Sequence, residues 1–221
     1  MKLTTKKYYN VLKYTRRRGE LMSWKLIKTT KLTNDPWLNM YSAKYKKGDL
    51  EIDWAFCSRN DEDKLVCKTD TVMCNTVVIV PKYNYNGEEC LIMCKEFRFP
   101  LNSYIYSFPA GLVEAGEDVE LSAIRELREE IGAEVSSLRQ LTGICYNSEG
   151  MSDENVIMYE AEVSELHSQE LEESEDISYE IVPIKDLKEY MQGKVFSAKV
   201  NLYCTMCYEM YEYKESLKNN K

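Results

Sequence analysis

Residues 111–133 read GLVEAGEDVELSAIRELREEIGA and set glycines, glutamates and Arg125 at fixed distances from one another. An α-helix turns by about 100° per residue, so Glu126 and Glu130 lie nearly on one line of a helix, with Glu129 beside them. The pattern therefore predicts a helix that carries three carboxylates on one face.

The other face of this helix is apolar. Ile124, Leu127 and Ile131 recur at helical spacing, and we expect them to pack into a core while the acids face outward into a cleft. Asp118 is suited to cap the start of the helix, and Gly132 supplies the backbone freedom that ends one. The helix is therefore predicted to begin after Asp118 and to end at Gly132.

The clustered acids indicate a cation site. Carboxylates three and four residues apart on a helix repel each other by a few tenths of a kcal/mol per pair. Oxygen-seeking cations such as Mg²⁺ or Mn²⁺ would reverse this cost. The alternative is a solvated acidic helix face, but the flanking glycines and Arg125 at fixed distances favour the metal site.

The composition predicts a soluble cytoplasmic enzyme. The chain has 221 residues, of which 44% are hydrophobic, and a formal net charge of -8 with a pI near 5.0. Sequence-independent binding of nucleic acid needs a basic surface, so nucleic acid is not expected as a partner. No membrane span is visible, and the basic residues 1–21 lack the apolar core and cleavage site of a secretory signal, so we interpret them as an arm. The eight cysteines are expected to stay reduced.

Alternating apolar and turn residues predict an α+β fold. Residues 24–57 are expected to form a small antiparallel sheet. Further strands are predicted at residues 76–80, 90–97, 104–108, 141–146, 155–163 and 177–184, and helices at residues 186–191 and 198–217. The resulting mixed sheet, covered by helices on both faces, is an α/β/α sandwich.

The same central segment carries a family resemblance. Its pattern Gly111-x5-Glu117-x7-Arg125-Glu126-Leu127-x-Glu129-Glu130-x-Gly132 resembles the Nudix box of the Nudix hydrolases and matches it at every specified position. Residues 97–100 (FRFP) and 107–114 (SFPAGLVE) are similar to the ADP-ribose pyrophosphatase branch, and residues 24–30 (WKLIKTT) resemble it more loosely.

This resemblance implies a division of the chain. Residues 67–221 would form the Nudix hydrolase domain, an α/β/α sandwich with a mixed β-sheet. Residues 22–66 would form an N-terminal antiparallel β region that is exchanged across a homodimer and contributes to an adenine site. Residues 1–21 remain the basic N-terminal arm.

The resemblance also implies a metal centre. By similarity, Glu126 and Glu130 bind Mg²⁺, with Mn²⁺ as an alternative. Glu129 and the carbonyl of Ala110 belong to the same shell. Arg125 is expected to orient one of the acids by a charge-assisted hydrogen bond, and the alternative is a surface counter-ion.

A second acidic segment is expected to supply the general base, because acids that bind cations are poor proton acceptors. Residues 172–177 (EESEDI) resemble the Glu-x-Glu-Asp-Ile pattern of the ADP-ribose enzymes. The resemblance assigns Glu173 as the base and Glu175 as a metal ligand. Glu180 or Glu129 is the alternative base, and a solvated acidic loop is the alternative interpretation of the segment.

The implied reaction is Mg²⁺-dependent hydrolysis of the pyrophosphate bond of ADP-ribose, or of a related nucleoside diphosphate sugar, to a nucleoside monophosphate and a sugar phosphate. Trp24 and either Trp37 or Tyr41 are candidates for stacking on the adenine, and Arg98 for contacting the base or a phosphate. Core or interface packing is the alternative role for each of these residues.

Two departures from the branch leave alternatives open. Residues 148–150 (SEG) lack the proline of the usual Ser-Pro-Gly, and Ser107 replaces a common acid. Another nucleotide-sugar pyrophosphatase, for example one specific for GDP-mannose, is therefore an alternative. A non-catalytic Nudix-fold sensor of ADP-ribose is the other.

Overall fold

The computed structural model describes residues 24–219, so the predicted basic arm at residues 1–21 lies outside the described part. The chain forms two compact units. The first unit contains the described residues up to Thr76 together with Gly143–Ile157, and the second contains Val77–Thr142 and the described residues from Met158 onward. The proposed boundary between residues 66 and 67 remains a prediction.

The first unit contains a three-stranded antiparallel sheet, ordered β1-β2-β3. Its strands are β1 (Lys25–Lys31), β2 (Asn39–Lys47) and β3 (Leu50–Ser58). Gly48 lies in the turn between β2 and β3 with a φ of 59°, a conformation that glycine adopts without steric cost. The antiparallel sheet predicted from the sequence is confirmed.

A larger mixed sheet has the strand order β11-β5-β4-β10-β8. Its strands are β4 (Thr76–Tyr85), β5 (Glu88–Arg98), β6 (Ser103–Ser107), β7 (Ala110–Leu112), β8 (Ala133–Gln140), β9 (Cys145–Tyr146), β10 (Asn155–Leu166) and β11 (Ile177–Pro183). Strand β6 pairs with β5, β7 with β4, and β9 with β10. The helices are α1 (Val119–Ile131), α2 (Leu187–Tyr190) and α3 (Ala198–Asn219).

Helices α1 and α3 cover opposite faces of this sheet. The Cys204 sulfur on α3 lies 4.0 Å from the Met93 sulfur on β5. The next residue of β5, Cys94, has its sulfur 3.9 Å from an oxygen of Glu130 on α1. Because neighbouring strand residues point to opposite faces, the predicted α/β/α sandwich is confirmed.

One predicted strand is wrong. A strand was expected at residues 141–146, but the chain enters strand β8 directly after Gly132, and only Cys145–Tyr146 of the expected segment is a strand. Strand β8 is at the end of the sheet order, and most of its side chains are exposed. Such an edge strand needs few apolar residues, so its sequence lacks the alternation that marks a half-buried strand.

Within residues 24–219, no helix combines the length and the apolar character needed to cross a membrane.

Candidate active site

Helix α1 begins and ends where the sequence predicts. A side-chain oxygen of Asp118 accepts hydrogen bonds from the backbone N–H groups of Glu120 at 2.9 Å and Leu121 at 3.3 Å. Gly132 ends the helix with a φ of 65°. A Cβ atom at Gly132 would also lie 2.2 Å from the carbonyl oxygen of His167, so close backbone approach requires glycine here.

The acidic side of α1 is more buried than expected. Glu126 is 7% exposed and Glu130 is 5% exposed, whereas Ile124 is 39% exposed. The expectation that the acids face outward and that Ile124 packs into the core is therefore wrong, although Leu127 and Ile131 are fully buried. The reason is that α1 is covered on its acidic side by the short strand β7, which packs against it.

Gly111 on β7 makes this cover possible. A Cβ atom at residue 111 would lie 1.9 Å from an oxygen of the Glu126 carboxylate. Real Cβ atoms do not approach other atoms so closely, so the carboxylate occupies space that any larger residue would take. The first glycine of the box therefore sets the position of Glu126.

On the expectation that Glu126 binds a metal ion, Gly111→Ala should lower activity by about 10- to 100-fold, because displacing a ligand by about 1 Å has effects of this size. The fold should survive, since the atoms that must move are the end of a flexible side chain. Initial rates over a Mg²⁺ titration, with the melting temperature, would measure both effects. Gly143→Ala is the control, since its Cβ would meet nothing within 4 Å; equal activity of both variants would contradict the packing argument.

Arg125 connects three of the acids. Its Nη1 donates to Glu126 at 2.8 Å and to Glu129 at 3.0 Å. Its Nε and Nη2 donate to the two oxygens of Glu117 at 3.0 and 3.1 Å, and Nη2 also donates to the carbonyl of Leu112 at 3.0 Å. A guanidinium with this many partners has one orientation, so Arg125 has the contacts of an orienting residue rather than of a loose counter-ion.

The electrostatics divide the acids into two kinds. The hydrogen bonds from Arg125 lower the pKa of Glu117 to about 2. Burial raises the pKa of Glu126 to about 7, with further increases from the charges of Glu129 and Glu175. Burial, and next the charge of Glu126, raise the pKa of Glu130 well above its ordinary value. Glu126 and Glu130 thus form a buried acidic pair in which Arg125 forms a salt bridge with Glu126, whereas no positively charged side chain among the described residues forms one with Glu130.

This pair predicts how stability depends on pH in the metal-free protein. Glu126 loses its proton near pH 4.5 in the unfolded chain and near pH 7 in the folded one. The folded state binds more protons between these values, so stability is lost as the pH rises through this window. We expect the melting temperature without metal to fall between about pH 5 and about pH 8, and millimolar Mg²⁺ to restore it. Glu126→Gln should show a smaller fall, and a wild-type melting temperature that rises over this range would contradict the expectation.

Residues outside the box also contact Glu130. Its Oε2 accepts a hydrogen bond from the backbone N–H of Ala110 at 3.3 Å and lies 3.9 Å from the Cys94 sulfur. Glu96 follows Cys94 by two residues on β5, so it points to the same face, and its charge also raises the pKa of Glu130. Sequence reasoning missed Cys94 and Glu96, and it gave Glu117 no separate role. The period of two along β5 was the available signal for Glu96.

The two loop acids differ in their surroundings. Glu175 is half-buried, and its charge contributes to the raised pKa of both Glu126 and Glu130. Its carboxylate accepts a hydrogen bond from the backbone N–H of Glu172 at 2.9 Å. Glu173 is exposed. The structure therefore brings Glu175 toward the acids of α1, and the role of Glu173 remains a prediction.

Glu180, the fallback base, points away from this cluster. It is paired with Met93 across β11 and β5, and directly opposite residues in a sheet share a face. Met93 faces α3, and Glu180 lies 3.9 Å from Lys194. Glu180 is therefore on the α3 face and is excluded as a base for chemistry on the α1 face.

The predicted substrate-binding residues are divided between the two units. Arg98, in the second unit, pairs with Glu96 at 2.5 Å. In the first unit, Trp37 is 75% exposed, and the ring of Trp24 is covered by Lys47 with its Nζ 5.9 Å from the ring centroid. Tyr41 is 0% exposed, and its hydroxyl donates to the carbonyl of Asn60 at 3.0 Å. Of the two alternatives Trp37 and Tyr41, only Trp37 has a free ring face.

Comparison with known proteins agrees with this geometry. A family model for the NUDIX domain matches residues 74–203. The chain therefore belongs to the Nudix family, and the resemblance identified in the sequence is confirmed.

Several known members of the family are similar to this chain. The chain is 37% identical to the ADP-ribose pyrophosphatase of Bacillus subtilis over 112 residues. This alignment covers 49% of this chain and 60% of that protein. It is 27% identical to an uncharacterized Nudix hydrolase of Schizosaccharomyces pombe over 191 residues. This second alignment covers 80% of this chain and 89% of that protein. The chain thus spans less than two thirds of the Bacillus subtilis enzyme. A solved structure described as an ADP compounds hydrolase aligns over 89% of this chain and 98% of that chain with a TM-score of 0.65 and 16% identity, which supports the fold alone.

Proposed function

We propose that the protein is a Mg²⁺-dependent hydrolase that splits ADP-ribose, or a related nucleoside diphosphate sugar, into a nucleoside monophosphate and a sugar phosphate. The observation that carries this proposal is the buried pair of Glu126 and Glu130. Arg125 forms a salt bridge with Glu126, whereas no positively charged side chain among the described residues forms one with Glu130. Similarity to an ADP-ribose pyrophosphatase over 112 residues supports the substrate class.

The donor set fits magnesium. Mg²⁺ takes oxygen ligands, usually one or two carboxylates together with substrate phosphates. Glu126 and Glu130 would hold the ion, with Glu129, Glu175 and the carbonyl of Ala110 as further oxygen donors. When bound, Mg²⁺ supplies charge neutralisation on the diphosphate oxygens and lowers the pKa of a water molecule.

The protein's own residues have distinct tasks in this proposal. Arg125 keeps the carboxylates of Glu126 and Glu129 oriented through its two short contacts. Glu117, with its lowered pKa, keeps Arg125 in place. Glu173 acts as the general base and takes the proton from the attacking water. Its carboxylate is exposed and is therefore accessible to water.

Recognition of the nucleoside is proposed for Trp24, Trp37 and Arg98. The exposed ring of Trp37 offers a stacking face for adenine. The guanidinium of Arg98 would exchange Glu96 for a phosphate or the base. We further propose that the protein is cytoplasmic and that its active form is a homodimer. Size-exclusion chromatography with light scattering would test the dimer by its molar mass in solution.

A panel of substrates tests the proposal. ADP-ribose, ADP-glucose, GDP-mannose, NADH and diadenosine polyphosphates would each be incubated with Mg²⁺ or Mn²⁺, and the products resolved by chromatography. We expect AMP and ribose 5-phosphate from ADP-ribose at the highest kcat/KM. Preference for GDP-mannose would favour the other nucleotide-sugar activity, and binding of ADP-ribose without turnover would favour the sensor.

A further inference from the structure

We propose that the first unit contains a binding site for a small organic cation with a methylated ammonium head, for which choline is the probe. The site is a cavity of about 250 Å³. Four aromatic side chains and two acids contribute to its wall: Tyr45, Trp54, Phe56, Tyr146, Glu149 and Asp153. None of these residues belongs to the proposed metal centre.

The charge of the wall selects a cation. Among the described residues that line the cavity, none is lysine, arginine or histidine, whereas Glu149 and Asp153 are acids. The faces of aromatic rings also carry negative potential and attract cations. A phosphate would be repelled by the same wall, so the diphosphate of the proposed substrate is not the ligand of this cavity.

Hydrogen bonds hold parts of the wall in place before any ligand enters. The indole Nε1 of Trp54 donates to the carbonyl of Gly150 at 3.2 Å, which fixes the ring plane. The Oδ2 of Asp153 accepts from the backbone N–H of Val66 at 3.2 Å. A preformed wall lowers the entropic cost of binding.

Asp153 adds a second, independent observation. The residue is only 9% exposed, and its Oδ1 is buried and accepts no hydrogen bond from the described residues. A buried carboxylate oxygen without a donor is unfavourable. A positive charge in the neighbouring cavity would reduce that cost.

Size and hydration narrow the class of cation. Sites for drug-sized ligands have volumes of about 300–1,000 Å³, so a cavity of about 250 Å³ suits something smaller than a nucleotide. Mg²⁺ and Ca²⁺ bind through oxygen ligands, and strongly hydrated Mg²⁺ keeps several of its waters, whereas most of this wall is aromatic or aliphatic. Methylated ammonium groups are the ligands that aromatic cages bind.

Isothermal titration calorimetry with choline, in the absence of nucleotide and metal, tests the proposal. The comparison ligand is the neutral isostere in which carbon replaces the quaternary nitrogen. We expect choline to bind at least about tenfold more tightly than this isostere. Trp54→Leu should weaken choline binding by about tenfold, while Trp54→Phe, which keeps an aromatic face, should weaken it less.

Further variants complete the test. Glu149→Gln should weaken choline binding without affecting the isostere, and it decides the question if Trp54→Leu does not fold. Trp37→Leu is the control and should bind choline as the wild type does. Equal affinity for choline and the isostere, unchanged binding in Glu149→Gln, or displacement of choline by AMP would each overturn the proposal. Because no hydrolysis is measured, these outcomes are independent of the proposed enzymatic function.

Discussion

Glu130→Gln is expected to lower kcat for ADP-ribose by about a thousandfold or more, because it removes the charge of a proposed metal ligand. The substitution keeps the size of the side chain, and the amide oxygen still accepts the hydrogen bond that Ala110 donates to Glu130 at 3.3 Å. It also removes a buried charge whose pKa is raised by burial, so the metal-free variant should melt at least as high as the wild type above neutral pH. Steady-state kinetics and thermal denaturation would measure both effects.

Glu120→Gln is the matched control for this variant. It makes the same chemical change on α1, but Glu120 is exposed, so activity should stay near the wild-type level. Calorimetric titration of Glu130→Gln with Mg²⁺ would show whether the variant still binds the metal. Lost Mg²⁺ binding with an unchanged melting temperature would indicate a lost metal site and not a lost fold. Full activity in Glu130→Gln would remove this residue from the metal centre and with it the main support for the proposed function.

Glu173→Gln is expected to lower kcat by about 10²- to 10⁴-fold, the range that a general base contributes. The Mg²⁺ concentration for half-maximal activity should change little, because Glu173 is proposed to act on water and not on the metal. The pH dependence of kcat gives a further readout, since loss of the base should remove the acidic limb of the profile.

Two neighbouring variants make this test specific. Glu172→Gln is the control in the same loop and should be nearly as active as the wild type. Glu175→Gln should instead raise the Mg²⁺ concentration needed for half-maximal activity, because it removes the charge of a proposed oxygen donor. The charge of Glu175 reaches the proposed metal centre, since it raises the pKa of both Glu126 and Glu130. An unchanged kcat in Glu173→Gln would transfer the base role to Glu129, since Glu180 lies on the opposite face of the sheet.

Much of the local structure was predictable from the sequence. Helix α1 has the predicted cap and end because both depend on groups within a few residues of each other, such as Asp118 and Leu121. Helix α3 was predicted for residues 198–217 and observed at Ala198–Asn219. Regular apolar spacing is a local property, so one sequence is enough to read it.

Burial was less predictable. Ile124 has the helical spacing of a core residue but is exposed, whereas the acids Glu126 and Glu130 are buried. The spacing of residues on a helix indicates which of them share a face. It does not indicate which neighbouring element covers that face. Strand β8 was missed for a related reason, since an edge strand with exposed side chains gives a weak apolar pattern.

The sequence by itself determined that a helix between Asp118 and Gly132 aligns Glu126, Glu129 and Glu130, because helical geometry acts over a few residues. Only the tertiary structure decided the burial of Glu126 and Glu130 and the raised pKa of each. Those properties depend on contacts of Glu130 with Ala110, 20 residues away, and with Cys94, 36 residues away. The free energy of a buried charge is set by all the groups packed around it, and those groups come together only when the sheet has formed.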